Sequence, residues 1–328
     1  MRKLRLQLSI MITYGITLII WLCVNLFAEA PVYADTSVMG ENFYTKNTAK
    51  TTSEIITEIT TEITTQTTAE NNDERYIPEF LENYVCGSLA AEMPVYFQPE
   101  ALKAQAVACR TYACREYFGN KNVELKTIGQ AYLSEDRLKQ RWGGDYEKNM
   151  QKIKDAVTQT RGEVIVYDDE PILAAYSSAS GGMTEDSGNV WGRSLPYLRP
   201  VNSEYDKKAP VYLQETSIET ERLSAVLGVD NAADIRIDKR SQSGYVLGVT
   251  AGGKRFSGDD IRLALGLGSN NFYLDVKDGR VFITVHGYGH GAGMSQYGAE
   301  YMAQSGAGYR EILSHYYTDV DFKVFEVR

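Results

Sequence analysis

Apolar and polar positions divide the chain into stretches of different kind. Residues 6–28 form an uncharged, mainly apolar run behind Arg2, Lys3 and Arg5. Such a run is long enough to cross a bilayer, with its basic flank on the cytoplasmic side. Val32-Tyr33-Ala34 resembles a signal peptidase site. Two readings therefore stand for residues 1–34: an uncleaved membrane anchor, favoured by the length of the run, or a signal peptide removed after Ala34. Either one exports the rest of the chain. Over residues 35–75 Thr and Glu alternate with isolated Ile, as in TTSEIITEITTEITTQTTAE. Without partner strands this composition predicts an extended, solvated tether. Folded structure is expected over 76–328. The pattern over 77–91 reads as a helix that stops before Pro94, because the proline pushes Met93 towards extended geometry. Pro99 opens a second helix over 100–117, with Leu102, Ala106, Cys109 and Ala113 at helical spacing. Its small residues allow close approach to a neighbour.

Further along, 145–159 reads as a helix ended by Gly162, and 163–167 and 171–176 are strand-like. Residues 177–210 are rich in loop signals. Strand patterns at 245–251, 272–276 and 281–285 enclose a helical one at 257–267, and Lys277-Asp278-Gly279-Arg280 is a hairpin signal. Helices are expected from Ser295 and over 309–317. The mixture predicts an α+β fold, with a helical lobe packed on a β-rich body and a substrate groove between them. An accessory β-rich subdomain is expected over 201–276.

Charge narrows the partners. With 34 basic against 43 acidic residues the net charge is −9, and no basic tract follows the first few positions. That argues against nucleic acid or anionic lipid headgroups. The 23 Tyr outnumber the 10 Phe. Tyr suits stacking on sugar rings, although most are expected at core edges. No Cys follows Cys114 and there is no CxxC pair, so a zinc ribbon or a thioredoxin-type motif has no support. Cys109 and Cys114 are five apart on one helix and point in different directions. Buried thiols at Cys86, Cys109 and Cys114 are expected, with a disulfide from Cys86 as the alternative.

Three segments could carry chemistry. Glu92 stands where the first helix must stop, facing the negative end of the macrodipole, which favours a protonated carboxyl. A protonated carboxyl in a cleft is suited to general acid work. Glu82, in mid-helix, is expected to face water. Glu100, in a first turn, should stay ionised. The segment His286-Gly-Tyr-Gly-His290-Gly-Ala-Gly-Met-Ser-Gln-Tyr-Gly298 does not match GxGxxG and carries no phosphate-loop lysine. Its glycines let a ligand approach the backbone, and Ser295, Gln296 and Tyr297 supply polar contacts of the kind that hold sugars. His286 and His290 lack a third metal ligand. In Tyr176-Ser-Ser-Ala-Ser-Gly-Gly-Met-Thr-Glu185 no nucleophile elbow is present, but Ser180 and Thr184 could form a polar wall.

These segments resemble the stage II sporulation protein D family, also called the SpoIID/LytB family. The residues are YVCGSLAAEMP, EALKAQAVACRTYA, YSSASGGMTE with VWG and PYLRPV, FSGDDIRLALGLGSNNF, GYGHGAGMSQYGA and EILSHYYTD, in the family's order from about Tyr76 onward. The resemblance implies a peptidoglycan lytic transglycosylase that cuts the N-acetylmuramic acid to N-acetylglucosamine bond of denuded glycan strands during engulfment. It places the catalytic acid at Glu92. It implies work beside an amidase, stage II sporulation protein P, and a membrane protein, stage II sporulation protein M. Where many relatives read FHSTSGG, this chain has Ser177 in place of the histidine. Some relatives hold zinc near that position. With neither the His nor the Cys present, no metal and no cofactor are expected here. Tyr176, Ser180, Thr184, His290, Ser295, Gln296 and Tyr297 are the expected groove residues around Glu92. The rival expectation is a non-catalytic, wall-binding module that enhances an amidase.

Overall fold

The computed structural model describes residues 75–328. The expected anchor or signal segment, and all of the tether but its final residue, lie outside the described residues. Among the described residues no helix is long and apolar enough to cross a membrane.

The chain enters through β1 (Tyr76–Ile77), followed by α1 (Glu79–Glu92) and α2 (Pro99–Gly119). Next come α3 (Glu135–Trp142), α4 (Tyr146–Gln159), β2 (Glu163–Tyr167), β3 (Glu170–Pro171) and β4 (Tyr176–Ser177). A short α5 (Ser187–Trp191) leads to β5 (Leu213–Glu219), α6 (Thr220–Leu227), β6 (Arg236–Arg240), β7 (Val246–Ala251) and β8 (Lys254–Phe256). After these stand α7 (Gly258–Leu265), β9 (Phe272–Lys277), β10 (Arg280–His286) and β11 (Met294–Ser295). The chain closes with α8 (Gln296–Gln304), α9 (Tyr309–Tyr316), β12 (Asp321–Val324) and β13 (Glu326–Val327). The fold is mixed α+β.

Met93 ends α1 at φ −122° and ψ 140°, the extended geometry that Pro94 demands. Pro99 sits in the first turn of α2, where its missing N–H removes no helical bond. Packed among α1, α4, β2 and α8, α2 buries most of its length. Its alanines 101, 104, 106, 108 and 113 are the reason neighbours can close in from several sides.

The strands form small separate sheets. β2 lies between β12 and β3, antiparallel to both, with Phe322 opposite Ile165. β10 lies between β5 and β9, with Ile283 opposite Thr216 and Leu274. β7 lies between β6 and β8, and the β6–β7 register shifts around Lys239. Two parallel pairs tie distant segments together: β1 with β13, and β4 with β11. One core cluster joins Ile77, Leu81 and Tyr84 to Ala113, Val164 and Phe325. A second, wholly aliphatic and aromatic, runs from Leu223 through Val249, Ile261 and Phe272 to Val285. The expected helices and the β9–β10 hairpin are found within a few residues of their predicted bounds. Only the ends of the strand-like run 171–176 pair, as β3 and β4. The helices α3 and α6 had no sequence expectation: both are only about two turns long, and α3 is mostly polar.

Candidate functional site

The Glu92 carboxyl lies at the last turn of α1 and is only 7% exposed. Tyr84, Ser88 and Glu92 follow at steps of four, so they share one face of α1. That face meets Cys109 of α2. Ser88 Oγ donates to Cys109 Sγ at 3.6 Å, and Gln105 Nε2 donates to the same sulfur at 3.4 Å. Tyr176 Oη stands 3.6 Å from that sulfur and accepts from Gln130 Nε2 at 3.1 Å.

The Ala131 N–H donates to Glu92 Oε1 at 2.7 Å. Glu92 Oε2 is buried with no hydrogen-bond partner in the protein, as are Tyr84 Oη, Gln130 Oε1 and Ser177 Oγ. Burial pushes the Glu92 carboxyl up to about 7; the Ala131 N–H, and the Tyr176 hydroxyl nearby but out of hydrogen-bonding geometry with Oε2, draw it back down. The helix-end placement expected to raise this proton affinity is present, but loss of water is the larger cause. An acceptor oxygen without a donor is a costly site for negative charge, so the proton stays on at mildly acidic pH.

The competing carboxylates behave differently. Glu82 does not face water: it is 3% exposed and forms a two-pronged pair with Arg110, at 2.8 Å from Nε and 2.9 Å from Nη2. The Gly162 N–H adds a bond at 3.0 Å. Burial works upward on Glu100, but the Lys103 ammonium and the Tyr309 N–H outweigh it and keep the carboxyl below its ordinary range.

Two of the motif segments lie against each other. β4 and β11 pair in parallel, with Tyr176 opposite Met294 and Ser177 opposite Ser295. Gly293 makes the approach feasible: at φ 74°, a Cβ there would lie 2.0 Å from the Ala175 carbonyl oxygen. The Tyr297 N–H donates to Ser178 O, and the Glu185 N–H to Gly291 O. Gln296 Nε2 donates to the backbone oxygen of Glu92 at 3.0 Å, so α8 holds the end of α1 directly.

Ser180 and Ser295 converge on a residue with no sequence signal, Asp206. Its Oδ2 accepts from the Ser180 N–H at 2.8 Å and Ser180 Oγ at 2.6 Å, and its Oδ1 from Ser295 Oγ at 2.6 Å. Burial raises the Asp206 carboxyl and these serine donors oppose it. In sequence Asp206 stands in SEYDKKA, a run that reads as a solvated loop. Thr184 Oγ1 accepts from the Val201 N–H at 2.8 Å. Tyr297 packs edge-on against Phe97 at 5.2 Å. His290 Nδ1 accepts from the Ala292 N–H at 3.1 Å, and Trp191 lies 5.1 Å from its ring. Burial, helped by Arg262, pushes His290 down to about 4, so it is neutral at physiological pH. His290 faces a small hollow with Glu185, Tyr245 and Asn270 and makes no hydrogen bond to Glu92. The wider hollows, of about 400 and 450 Å³, lie beside Ser217–Arg280 and Arg75–Phe325.

Cys86, Cys109 and Cys114 are free thiols; the latter two are buried. Burial pushes Cys109 up to about 11 and Cys114 to about 12, so neither is a thiolate nucleophile at neutral pH. Among the described residues no group of three His, Cys, Asp or Glu is placed to hold a metal ion.

Comparison with known proteins identifies the family. The SpoIID family model, "Stage II sporulation protein", matches residues 77–167, the span from β1 through the Glu92 helix to β2. The chain is 41% identical to stage II sporulation protein D of Bacillus amyloliquefaciens, over 76% of each chain. It is 39% identical to stage II sporulation protein D of Bacillus subtilis, over 72% of each. An amidase enhancer of Bacillus subtilis is 31% identical over 70% of this chain and 39% of its own length. The chain belongs to the stage II sporulation protein D family.

Proposed function

We propose that this protein is a lytic transglycosylase that cleaves peptidoglycan glycan strands with Glu92 as its single acid and base. One observation carries the reading: a buried carboxyl whose proton affinity is raised to about 7, with one oxygen held by an amide and the other without a partner. In this reading the Glu92 carboxyl gives its proton to the oxygen linking N-acetylmuramic acid to N-acetylglucosamine. The C1–O bond breaks, and positive charge develops at C1. The negative end of α1 and the new carboxylate both favour that charge. The 6-hydroxyl oxygen of the same muramic acid closes on C1 and its proton returns to Glu92. No water is consumed, so no second carboxylate is needed to activate one.

In this reading Tyr176 and Gln296 set the surroundings of Glu92, and Ser180, Ser295 and Thr184 brace the β4–β11 junction. His290 and Tyr297 orient the strand. The chain from 76 to 328 is the catalytic part, carried beyond the membrane by a tether over 35–75 and an anchor over 1–34. Denuded strands, and the work of the amidase and membrane proteins of stage II sporulation (P and M), are the expected company.

The test is to incubate the protein with denuded strands and read the products by mass spectrometry. Products one water lighter than hydrolysis products are expected. Glu92→Gln should lower their release by about 10²–10⁴-fold, the usual worth of a general acid. Persistent release by a folded Glu92→Gln protein would falsify the assignment. The similarity to an amidase enhancer favours a second reading, a wall-binding module that activates an amidase. It predicts strand binding without cleavage and faster amidase turnover.

A further inference from the structure

Residues 128–134 form a strap across the C-terminal half of α1. The Leu133 N–H donates to Gly87 O at 3.2 Å, and the Ala131 N–H grips Glu92. Between these two anchor points stands Tyr132. Its ring stacks on Tyr84, with centroids 5.3 Å apart and planes 2° from parallel. Gly87 is what lets the strap lie so close. A Cβ at that position would come within 2.3 Å of Tyr132 Cε2 and 2.8 Å of Leu133 O.

Tyr84 is buried, yet Tyr132 is 51% exposed. One face of the Tyr132 ring is therefore backed by a fixed aromatic, while much of the ring is open to solvent. Most exposed aromatic rings lose rotamer freedom when a ligand orders them. This one has already lost it to Tyr84, so a ligand that lies on it need not supply that ordering. A hexose ring presents a flat array of C–H groups that suits the negative face of an aromatic ring. The residue before Tyr132 holds the Glu92 carboxyl, so the ring is anchored on the same strap as the donor to that group.

We propose that Tyr132 is the stacking platform for the sugar ring adjoining the bond that Glu92 protonates, and so a specificity-determining residue of the site. This rests on the proposed function for the identity of the strand and the chemistry. Its test reads binding and does not need turnover.

In the full-length Glu92→Gln protein, affinity for denuded glycan strands and for an N-acetylglucosamine tetrasaccharide should fall roughly tenfold on Tyr132→Ala, the loss of one good contact. Tyr132→Phe should keep the affinity, because the ring face and not the hydroxyl makes the contact. Tyr132→Trp should give an emission that shifts as sugar is added. In the protein with Glu92 intact, Tyr132→Ala should raise KM and leave the pH limb of kcat in place. Unchanged affinity for Tyr132→Ala, equal losses for Ala and Phe, or a silent Trp would overturn the proposal. So would a moved kcat limb with KM unchanged, since that marks Tyr132 as a prop for Ala131 alone. Tyr132-dependent binding without cleavage would overturn the lytic reading and keep the platform. Cleavage that ignores Tyr132 would do the reverse. No sugar binding by the parent overturns both.

Discussion

The first turn and the last turn of α1 bury a carboxylate each, to nearly the same depth, with opposite consequences. In the first turn, Glu82 meets the Arg110 guanidinium and the Gly162 N–H, so both its oxygens have charged or amide donors. Arg110 directs its remaining donors to Thr160 Oγ1 and to the carbonyls of Val157 and Glu163. Ten residues on, Glu92 has one amide and no cation. Burial with a missing partner strengthens a carboxyl's hold on its proton, as it does at Glu92. The first region fixes α1 on α2 and β2; the second uses that rigidity to keep an unfavourable group in place.

The comparison breaks first at Arg110. Arg110→Met should leave Glu82 buried and uncompensated, at a cost of about 3–5 kcal/mol in urea unfolding. Adding Glu82→Gln should restore part of it. A single variant as stable as the parent would mean the pair holds nothing together.

Glu92→Gln should act in the other direction. The folded-state proton affinity of Glu92 lies above its ordinary value, so folding takes up a proton between about pH 4.5 and 7. Its contribution is fully favourable below that window and is lost as pH rises through it. At pH 8 the Gln variant should therefore be more stable than the parent by up to about 3 kcal/mol, and at pH 4 equal to it. Thermal melts across that range decide the matter; a parent whose melting ignores pH there would contradict the buried, protonated state. Cleavage should show the same group, with kcat falling as pH rises through about 7.

Smaller effects sharpen the picture. Asp206→Asn replaces an acceptor of three hydrogen bonds with an amide and should cost about 1–3 kcal/mol, loosening the β4–β11 junction. Gln296→Ala removes the donor to the Glu92 carbonyl and should cost only about 1 kcal/mol. Its effect on kcat should exceed its effect on stability, because it frees the end of α1 and little else. Equal effects would make Gln296 an ordinary packing residue.

Much of this was legible in the sequence where local rules act. Pro94 and Pro99 marked the ends of α1 and α2, and Asp278-Gly279 marked the β9–β10 hairpin. The Tyr84, Ser88 and Glu92 stripe carried no expectation despite its spacing of four, because its polar character disguises it as a solvated face. Glu82 misled for the same reason: its partner Arg110 is 28 positions away, and no periodicity links them. Asp206, Gln130 and Tyr132 were hidden because their roles come from long-range packing. The donor to Glu92 was beyond reach in principle, since any non-proline residue at 131 offers a backbone N–H.

The short β1–β13 ladder has a mechanical consequence. Its strands run parallel, with Tyr76 opposite Glu326, while the Glu79 N–H donates to Arg328 O at the start of α1. Tension applied at Tyr76 against a hold on Arg328 would load this ladder in shear, so its bonds would share the force instead of unzipping one by one. A load from that direction would reach the C-terminal strand before it reached the far end of α1, where Glu92 sits.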